Sequence, residues 1–374
     1  MSAVIPAGYA WEPTDEQITE RYGVPPERVA RFDLNTSPAP PEPALRALAT
    51  GRFDRPISEY PPSDYRHLVD AAAAAYGVPS DEILVGAGAD EVLDLAARAF
   101  LPPGGTAVVP VPTYAMYRIL AEQRPARAVE VPRRGRAEGY ALDLPAVRAA
   151  ARGSDLVWLC SPNNPTGLPE PAGAVAALLA DLAADANDGG LPAPAVVLDE
   201  AYAEFAGTSL VDLRAAYPRL VVVRTASKAY ALAGLRVGFG IARRETLAVM
   251  GPYRPPGSVS VVSAAVAAAV LRDATWPAAN VTRIAAERER LAAGLRDLGW
   301  AVGPSVTNFL LVDFGSPSRA RAVADGLLRR GLVPRTFGPD HLLADHLRIT
   351  VRSRGDDDRL LDAARALAAQ EAPR

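Results

Sequence analysis

The feature that most constrains the fold of this chain is a succession of short, unbroken apolar runs, each flowing into a polar or glycine-rich turn. Ile83–Val85 leads into Gly86-Ala87-Gly88-Ala89-Asp90-Glu91, and Leu156–Cys160 into Ser161-Pro162-Asn163-Asn164-Pro165-Thr166-Gly167. Ala195–Leu198 leads into Asp199-Glu200-Ala201-Tyr202, and Leu220–Val223 toward Thr225-Ala226-Ser227-Lys228. A strand with one wet face alternates apolar and polar residues, whereas runs that are apolar throughout belong where helices cover both faces of a mainly parallel sheet. Ala107–Pro110 is a further strand of this kind. Helical patterns lie between the runs, over Asp90–Phe100, Ala115–Gln123 and Pro171–Ala184, and ahead of them over Asp64–Tyr76, with Ser63 or Asp64 as its cap and Gly77 past its end. The prediction is an α/β fold, with a large domain whose mainly parallel sheet is flanked by helices. In such sheets ligands sit at the carboxyl ends of the strands, and the polar segments fall there.

The texture changes after residue 270. A long helical pattern over Ala278–Leu298 is followed by Phe309–Val312, a helix from Arg319 to Arg330, Leu347–Val351 and a final helix, which together read as a smaller α+β domain. At the other end, a helical pattern near Asp15–Arg21 and an extended piece ending at Asn35 precede the proline-rich passage Ser37–Pro43. The expected divisions are therefore 1–38 as an N-terminal arm and part of the small domain, 39–270 as the large domain, and 271–374 as the small domain. A chain of 374 residues suits one large and one smaller domain.

Composition matters most at one residue. Of 40 basic residues, 39 are arginine and one, Lys228, is lysine. Almost every site that needs only positive charge has taken arginine, so the lysine is expected to do what a guanidinium cannot: lose its proton, attack a carbonyl and form a Schiff base. Arg236, eight residues on, is placed to hold an anion whose aldehyde reaches the lysine. The net charge of −3 gives no general drive toward nucleic acid, and Arg133, Arg134 and Arg136 read as a solvated loop. The single cysteine, Cys160, excludes an intrachain disulfide framework, reads as a core residue and suits a reducing compartment. No signal-peptide pattern opens the sequence, and the longest apolar stretch, Val261–Leu271, is too short to span a bilayer, so a cytoplasmic location is expected. The three histidines, His67, His341 and His346, show no ligand spacing, and no metal is proposed.

Taken together, SPNNPTG at 161–167, DEAY at 199–202 and SKAYALAGLRVGF at 227–239 resemble the fold-type I pyridoxal-phosphate aminotransferases, and within them the histidinol-phosphate aminotransferase branch, over nearly the whole length. The resemblance implies that Lys228 carries pyridoxal 5′-phosphate and moves protons, and that Asp199 pairs with the pyridine nitrogen. It implies that Asn164 and Tyr202 bond the ring's phenolic oxygen and that Tyr114 stacks on the ring. A phosphate cup would be built from Ala89 and Asp90 at a helix start, Thr225, Ser227 and Arg236. Tyr60 would reach the phosphate of a neighbouring subunit, implying a homodimer with shared active sites. Arg348 and Arg335 would hold the substrate's carboxylate or phosphate, and Tyr9 would be a substrate tyrosine on the N-terminal arm.

The chain departs from this pattern in two places. Asn35-Thr36-Ser37-Pro38 stands where the branch carries Asn-Glu-Asn-Pro, and Arg352 stands where a glycine is usual. Both bear on the substrate; neither touches the cofactor set. Asp356–Asp358 reads as a solvated start to the last helix. The expected reaction is amino transfer between a phosphorylated or aromatic amino substrate and 2-oxoglutarate or glutamate. Decarboxylation of threonine phosphate or oxidation of an amino acid on the same fold are the alternatives, with a ligand-sensing regulator as a non-enzymatic one.

Overall fold

The computed structural model describes residues 8–190 and 192–371. Along the chain the strands are β1 (Ala30–Phe32), β2 (Ile83–Gly86), β3 (Thr106–Val111), β4 (Arg127–Pro132), β5 (Leu156–Cys160) and β6 (Ala195–Asp199). They continue with β7 (Leu220–Thr225), β8 (Gly238–Ile241), β9 (Ala301–Val302), β10 (Phe309–Asp313), β11 (Leu332–Pro334) and β12 (His346–Thr350). Each apolar run read as a strand from the sequence becomes one, whereas the longest apolar stretch, Val261–Leu271, is a helix. Contacts divide the chain into two compact units. One holds residues 39–164 and 169–280 with Gly8 and Tyr9; the other holds 10–38, 165–168 and the chain from 281 onward.

The first unit is built on a seven-stranded sheet in the order β2-β8-β7-β6-β5-β3-β4. β3 to β7 pair in parallel, and β8 runs antiparallel to both its neighbours, β2 and β7. Every residue of β5, β6 and β7 is buried, as continuous apolar runs require. Helix Ala89–Phe100 buries Val92, Leu93, Leu95, Ala96 and Phe100, the 3.6-residue stripe that packs it on the sheet. Two of the strands lack a continuous apolar run. β4 is an edge strand whose exposed and half-buried residues give no such run, and β8 is the glycine-rich Gly-Phe-Gly-Ile.

In the second unit β12, β10 and β9 form an antiparallel sheet, and β1 pairs in parallel with β11. Helices Asp15–Tyr22, Pro317–Leu328 and Arg354–Glu371 accompany them.

Three local expectations are corrected. The helix expected from Asp64 starts at Arg66, after a left-handed Tyr65 (φ 48°), because Asp64 turns its carboxylate onto the Arg66 N–H (3.3 Å) instead of entering the helix. Asp357 is not solvated: it is fully buried, accepts the Arg352 N–H at 3.1 Å, and burial pushes its carboxyl up to about 8. Arg133 is likewise not a solvated loop residue but lies in the core of the first unit, paired with Glu170.

Candidate active site

The site grows from the carboxyl ends of β5, β6 and β7. Asp199 is the last residue of β6, where the sheet stops and the chain turns, so its side chain is held against the strand ends while remaining buried. One carboxylate oxygen accepts the Ala201 N–H (3.0 Å) and the other the Tyr117 hydroxyl (2.8 Å). Burial pushes its carboxyl up to about 6, while these two donors and the Lys228 charge pull the other way. At neutral pH the group is therefore mostly a carboxylate.

Lys228 follows β7 in a turn closed by the Ala231 N–H on its carbonyl (3.1 Å), with its Nζ 5.8 Å from the centre of the Tyr202 ring. Tyr202 is buried, three residues past Asp199. Thr225 and Ser227 form a buried pair, the Ser227 N–H donating to Thr225 Oγ1 at 3.1 Å.

The turn between β2 and helix Ala89–Phe100 explains why its glycines are glycines. Gly88 lies at φ 86°, ends the turn as a helix cap with no side chain to bond the first-turn amides, and the Glu91 carboxylate ties the Ala87 N–H at 2.6 Å. A Cβ on Gly88 would come within 2.9 Å of the Arg236 guanidinium carbon, so this arginine crosses directly over the turn. A Cβ on Gly238 of β8 would come within 2.5 Å of the Ala89 nitrogen. The result is a cradle of first-turn amides at Ala89 and Asp90, lidded by a cation, which is the arrangement an anion such as a phosphate needs. Arg236 itself is in the left-handed region (φ 53°), a strained conformation for a residue with a Cβ, and donates to Asp90 Oδ2 at 3.1 Å.

Asp90 joins this cradle to the aromatic side of the site, since its other oxygen accepts the Tyr114 hydroxyl at 3.0 Å. Tyr9 lies 6.2 Å from Tyr114, ring centre to ring centre. Asn164 is buried in the turn after β5. Its neighbour Asn163 fixes that turn, donating to the Pro112 carbonyl (3.1 Å) and accepting the Thr113 hydroxyl (2.9 Å) beside Tyr114. Behind it, Glu170 pairs with Arg133 through its carboxylate, and its backbone N–H donates to Ser161 Oγ at 3.0 Å.

Thus Lys228, Tyr202 and Asp199 come together at the strand ends, with Ala89, Asp90, Arg236, Tyr114 and Tyr9 linked beside them and Thr225, Ser227 and Asn164 on the adjoining turns. Tyr60 is not gathered in: its side chain is 89% exposed. In the second unit, Arg335 and Arg348 stand directly opposite each other in an antiparallel bridge, exchanging N–H to carbonyl bonds of 2.9 and 3.0 Å. Opposed residues share a face of the sheet. Arg348 reaches the Asp33 carbonyl and Arg335 the Ala10 carbonyl (2.6 Å). Asn35, at the first departure from the pattern, is pinned by its N–H to Thr350 Oγ1 (3.0 Å) and its carbonyl to Asn308 (2.9 Å).

Sequence reasoning missed Tyr117, Asn163, Glu91 and the Arg133–Glu170 pair. Tyr117 sits at an apolar position of a helix and reads as core; Asn163 was visible only as part of the same motif as Asn164. Asp313, Asp345 and His346 have ligand-capable atoms within 4.8 Å of one another, and Asp313 is engaged by the Gly315 N–H (2.7 Å). No described helix is long and apolar enough to cross a membrane.

A profile of the family described as aminotransferase class I and II matches residues 32–367. A histidinol-phosphate aminotransferase from Roseiflexus castenholzii is 41% identical over 362 residues, covering 94% of this chain and 93% of that protein. Another from Symbiobacterium thermophilum is 39% identical, covering 90% of each. The crystal structure of histidinol-phosphate aminotransferase from Sinorhizobium meliloti in complex with pyridoxal-5′-phosphate superposes with a TM-score of 0.86 at 28% identity, over 97% of this chain and 96% of that one.

Proposed function

The chain belongs to the class I and II aminotransferase family and is a pyridoxal-phosphate-dependent transaminase, and from that premise we propose its substrates and the work of each residue. The amino substrate is histidinol phosphate, exchanged with its keto form, and the partner pair is glutamate and 2-oxoglutarate. The names of the relatives support this reading. So do Arg335 and Arg348, which stand opposite each other in the sheet, since two arginines suit a dianionic phosphate better than a lone carboxylate.

When bound, pyridoxal phosphate supplies an electron sink for the negative charge that develops at the substrate's α-carbon. The observation that carries the reading is the buried Asp199 carboxylate, held by two donors at the end of β6 and within the field of the Lys228 charge. Asp199 pairs with the ring nitrogen and keeps it cationic. Lys228 holds the cofactor through Nζ and, once released, moves a proton to and from the α-carbon. Asn164 and Tyr202 take the ring's phenolic oxygen, and Tyr114 covers a ring face. The amides of Ala89 and Asp90, with Thr225, Ser227 and Arg236, receive the phosphate. Arg348 and Arg335 bind the substrate's anionic groups, and Tyr9 contacts it from the N-terminal segment.

The protein works as a homodimer in which Tyr60 completes the partner's phosphate site; its 89% exposure, beside an Ile57 that is 76% exposed, supports a role outside its own subunit. The buried lone thiol of Cys160 is compatible with a reducing, cytoplasmic setting. The reaction is tested by following amino exchange between histidinol phosphate and 2-oxoglutarate alongside release of carbon dioxide and peroxide. Exchange without either gas-phase or peroxide product is expected; release without exchange contradicts the proposal.

A further inference from the structure

We propose that Tyr117 is a positioning residue for this reaction, holding the Asp199 carboxylate ionised and aimed at the cofactor's ring nitrogen. The inference rests on the reading of Asp199 given above.

The geometry is specific. Each Asp199 oxygen has one donor, the Ala201 N–H on Oδ1 at 3.0 Å and the Tyr117 hydroxyl on Oδ2 at 2.8 Å. Tyr117 is fully buried and fixed on two sides: its ring stacks on Trp158 at 5.1 Å with an 8° interplanar angle, and meets Tyr114 edge-on at 5.7 Å and 87°. The indole Nε1 of Trp158 is buried and has no hydrogen-bond partner among the described residues. A phenylalanine there would avoid that penalty. What tryptophan supplies at this place is a broad flat face, and Tyr117 lies against it.

The charge environment makes the hydroxyl consequential. Cys160 of β5 stands opposite Asp199 of β6, and burial pushes its thiol up to about 12, so it remains neutral. The other charges acting on Asp199 are Asp90, which raises its affinity for a proton, and Lys228, which lowers it. Burial drives the tyrosine hydroxyl's own proton affinity well above the ordinary phenol range, with the Asp199 charge acting in the same direction, so Tyr117 stays a donor throughout the working pH range. A donor on the charged form of a buried acid favours that form. Without it, desolvation acts unopposed on Oδ2, and Asp199 takes up a proton closer to neutrality. A neutral Asp199 no longer balances a cationic ring nitrogen.

The test is Tyr117→Phe, read by the pH dependence of the cofactor dissociation constant, measured by quenching of protein fluorescence, and by the pH dependence of kcat/KM. The acid midpoint of both is expected to rise by about one pH unit, with cofactor affinity about threefold weaker at pH 6.5, approaching tenfold weaker below about pH 5, and near wild type above pH 8.5. In an Asp199→Asn background the same change is expected to move neither quantity. Trp158→Phe, which keeps the hydroxyl but narrows the surface that holds it, is the second variant and is expected to raise the midpoint by less. A wild-type midpoint in both variants overturns the inference, as does a loss of affinity that is uniform across pH or persists in the Asp199→Asn background. If Asp199→Asn alone binds cofactor with the wild-type pH profile, the reading of Asp199 itself is what fails.

Discussion

Under the proposed reading, Lys228 and Asp199 divide the labour of the site by chemistry that no other residue type would provide at these positions. Lysine combines a primary amine with a reachable neutral form, which arginine lacks. Lys228→Ala is therefore expected to lower kcat by at least about a thousandfold, the scale of a lost general acid–base together with the lost anchor, while cofactor still enters the site. Equilibrium dialysis with single-turnover kinetics checks both halves of that outcome. Asp199 also predicts a stability signature in the apoprotein. Its carboxyl rises from 3.8 to about 6 on folding, so the native state holds the proton more tightly than the unfolded chain. The contribution is present below about pH 4 and is lost as pH climbs through 6, by about 3 kcal/mol. Urea unfolding from pH 4 to 7 should show the wild-type apoprotein losing about that much relative to Asp199→Asn, and parallel curves would refute it. Both residues stand out in the sequence because each is distinctive where it stands: one lysine among 39 arginines, and an acid at the end of an apolar run. Tyr117 was hidden because a buried aromatic on an amphipathic helix carries no outward mark of the hydroxyl's partner. Arg133 was misread for a similar reason, since its partner Glu170 lies 37 residues away and only the fold joins them.

At the level of elements, the cradle proposed to take the phosphate depends on how closely β8 approaches the turn after β2. Gly238 faces the Ala89 nitrogen and the Gly88 carbonyl oxygen, where an added Cβ would stand at 2.5 and 2.6 Å. All of these atoms belong to the Gly88–Ala89 peptide, and backbone has little to yield. Gly238→Ala is expected to destabilise the fold by about 1–3 kcal/mol and to weaken cofactor binding through the displaced Ala89 and Asp90 amides. Gly234, around which a Cβ meets nothing within 4 Å, is the comparison: its alanine variant should unfold at the wild-type urea concentration. The Arg133–Glu170 pair anchors the turn after β5 in the same sense. Its side chains are 1% and 6% exposed, so Glu170→Ala leaves a buried cation uncompensated and should cost about 3–5 kcal/mol by the same assay. The parallel strands were legible because burial on both faces writes itself as continuous apolar sequence. β8 escaped because its four residues are half glycine, selected for close approach and not for side-chain packing, and β4 because an edge strand has no need of an unbroken apolar run.

At the scale of the whole molecule, the exposed Tyr60 makes the subunit incomplete on its own under the proposed reading. Mixing inactive Lys228→Ala chains with chains impaired by Tyr60→Ala should then restore activity above the sum of the parents, because a mixed dimer contains one site built wholly from intact residues. Additive activities would show that Tyr60 serves no neighbour. The α/β class, and the gathering of the polar segments at the strand ends, were readable from the pattern of runs and turns. The opposition of Arg335 and Arg348 was not, since a register between β-strands is set by packing and not by the thirteen residues that separate them in sequence. All of this turns on one covalent claim, and the chain's composition makes it unusually easy to test. Lys228 and the chain's N-terminus are its only primary amines. Reduction of the cofactor-loaded protein with borohydride, followed by peptide mass mapping, should place a single reduced pyridoxyl-phosphate adduct on the peptide containing Lys228. An adduct confined to the N-terminus, or none at all, would contradict the account.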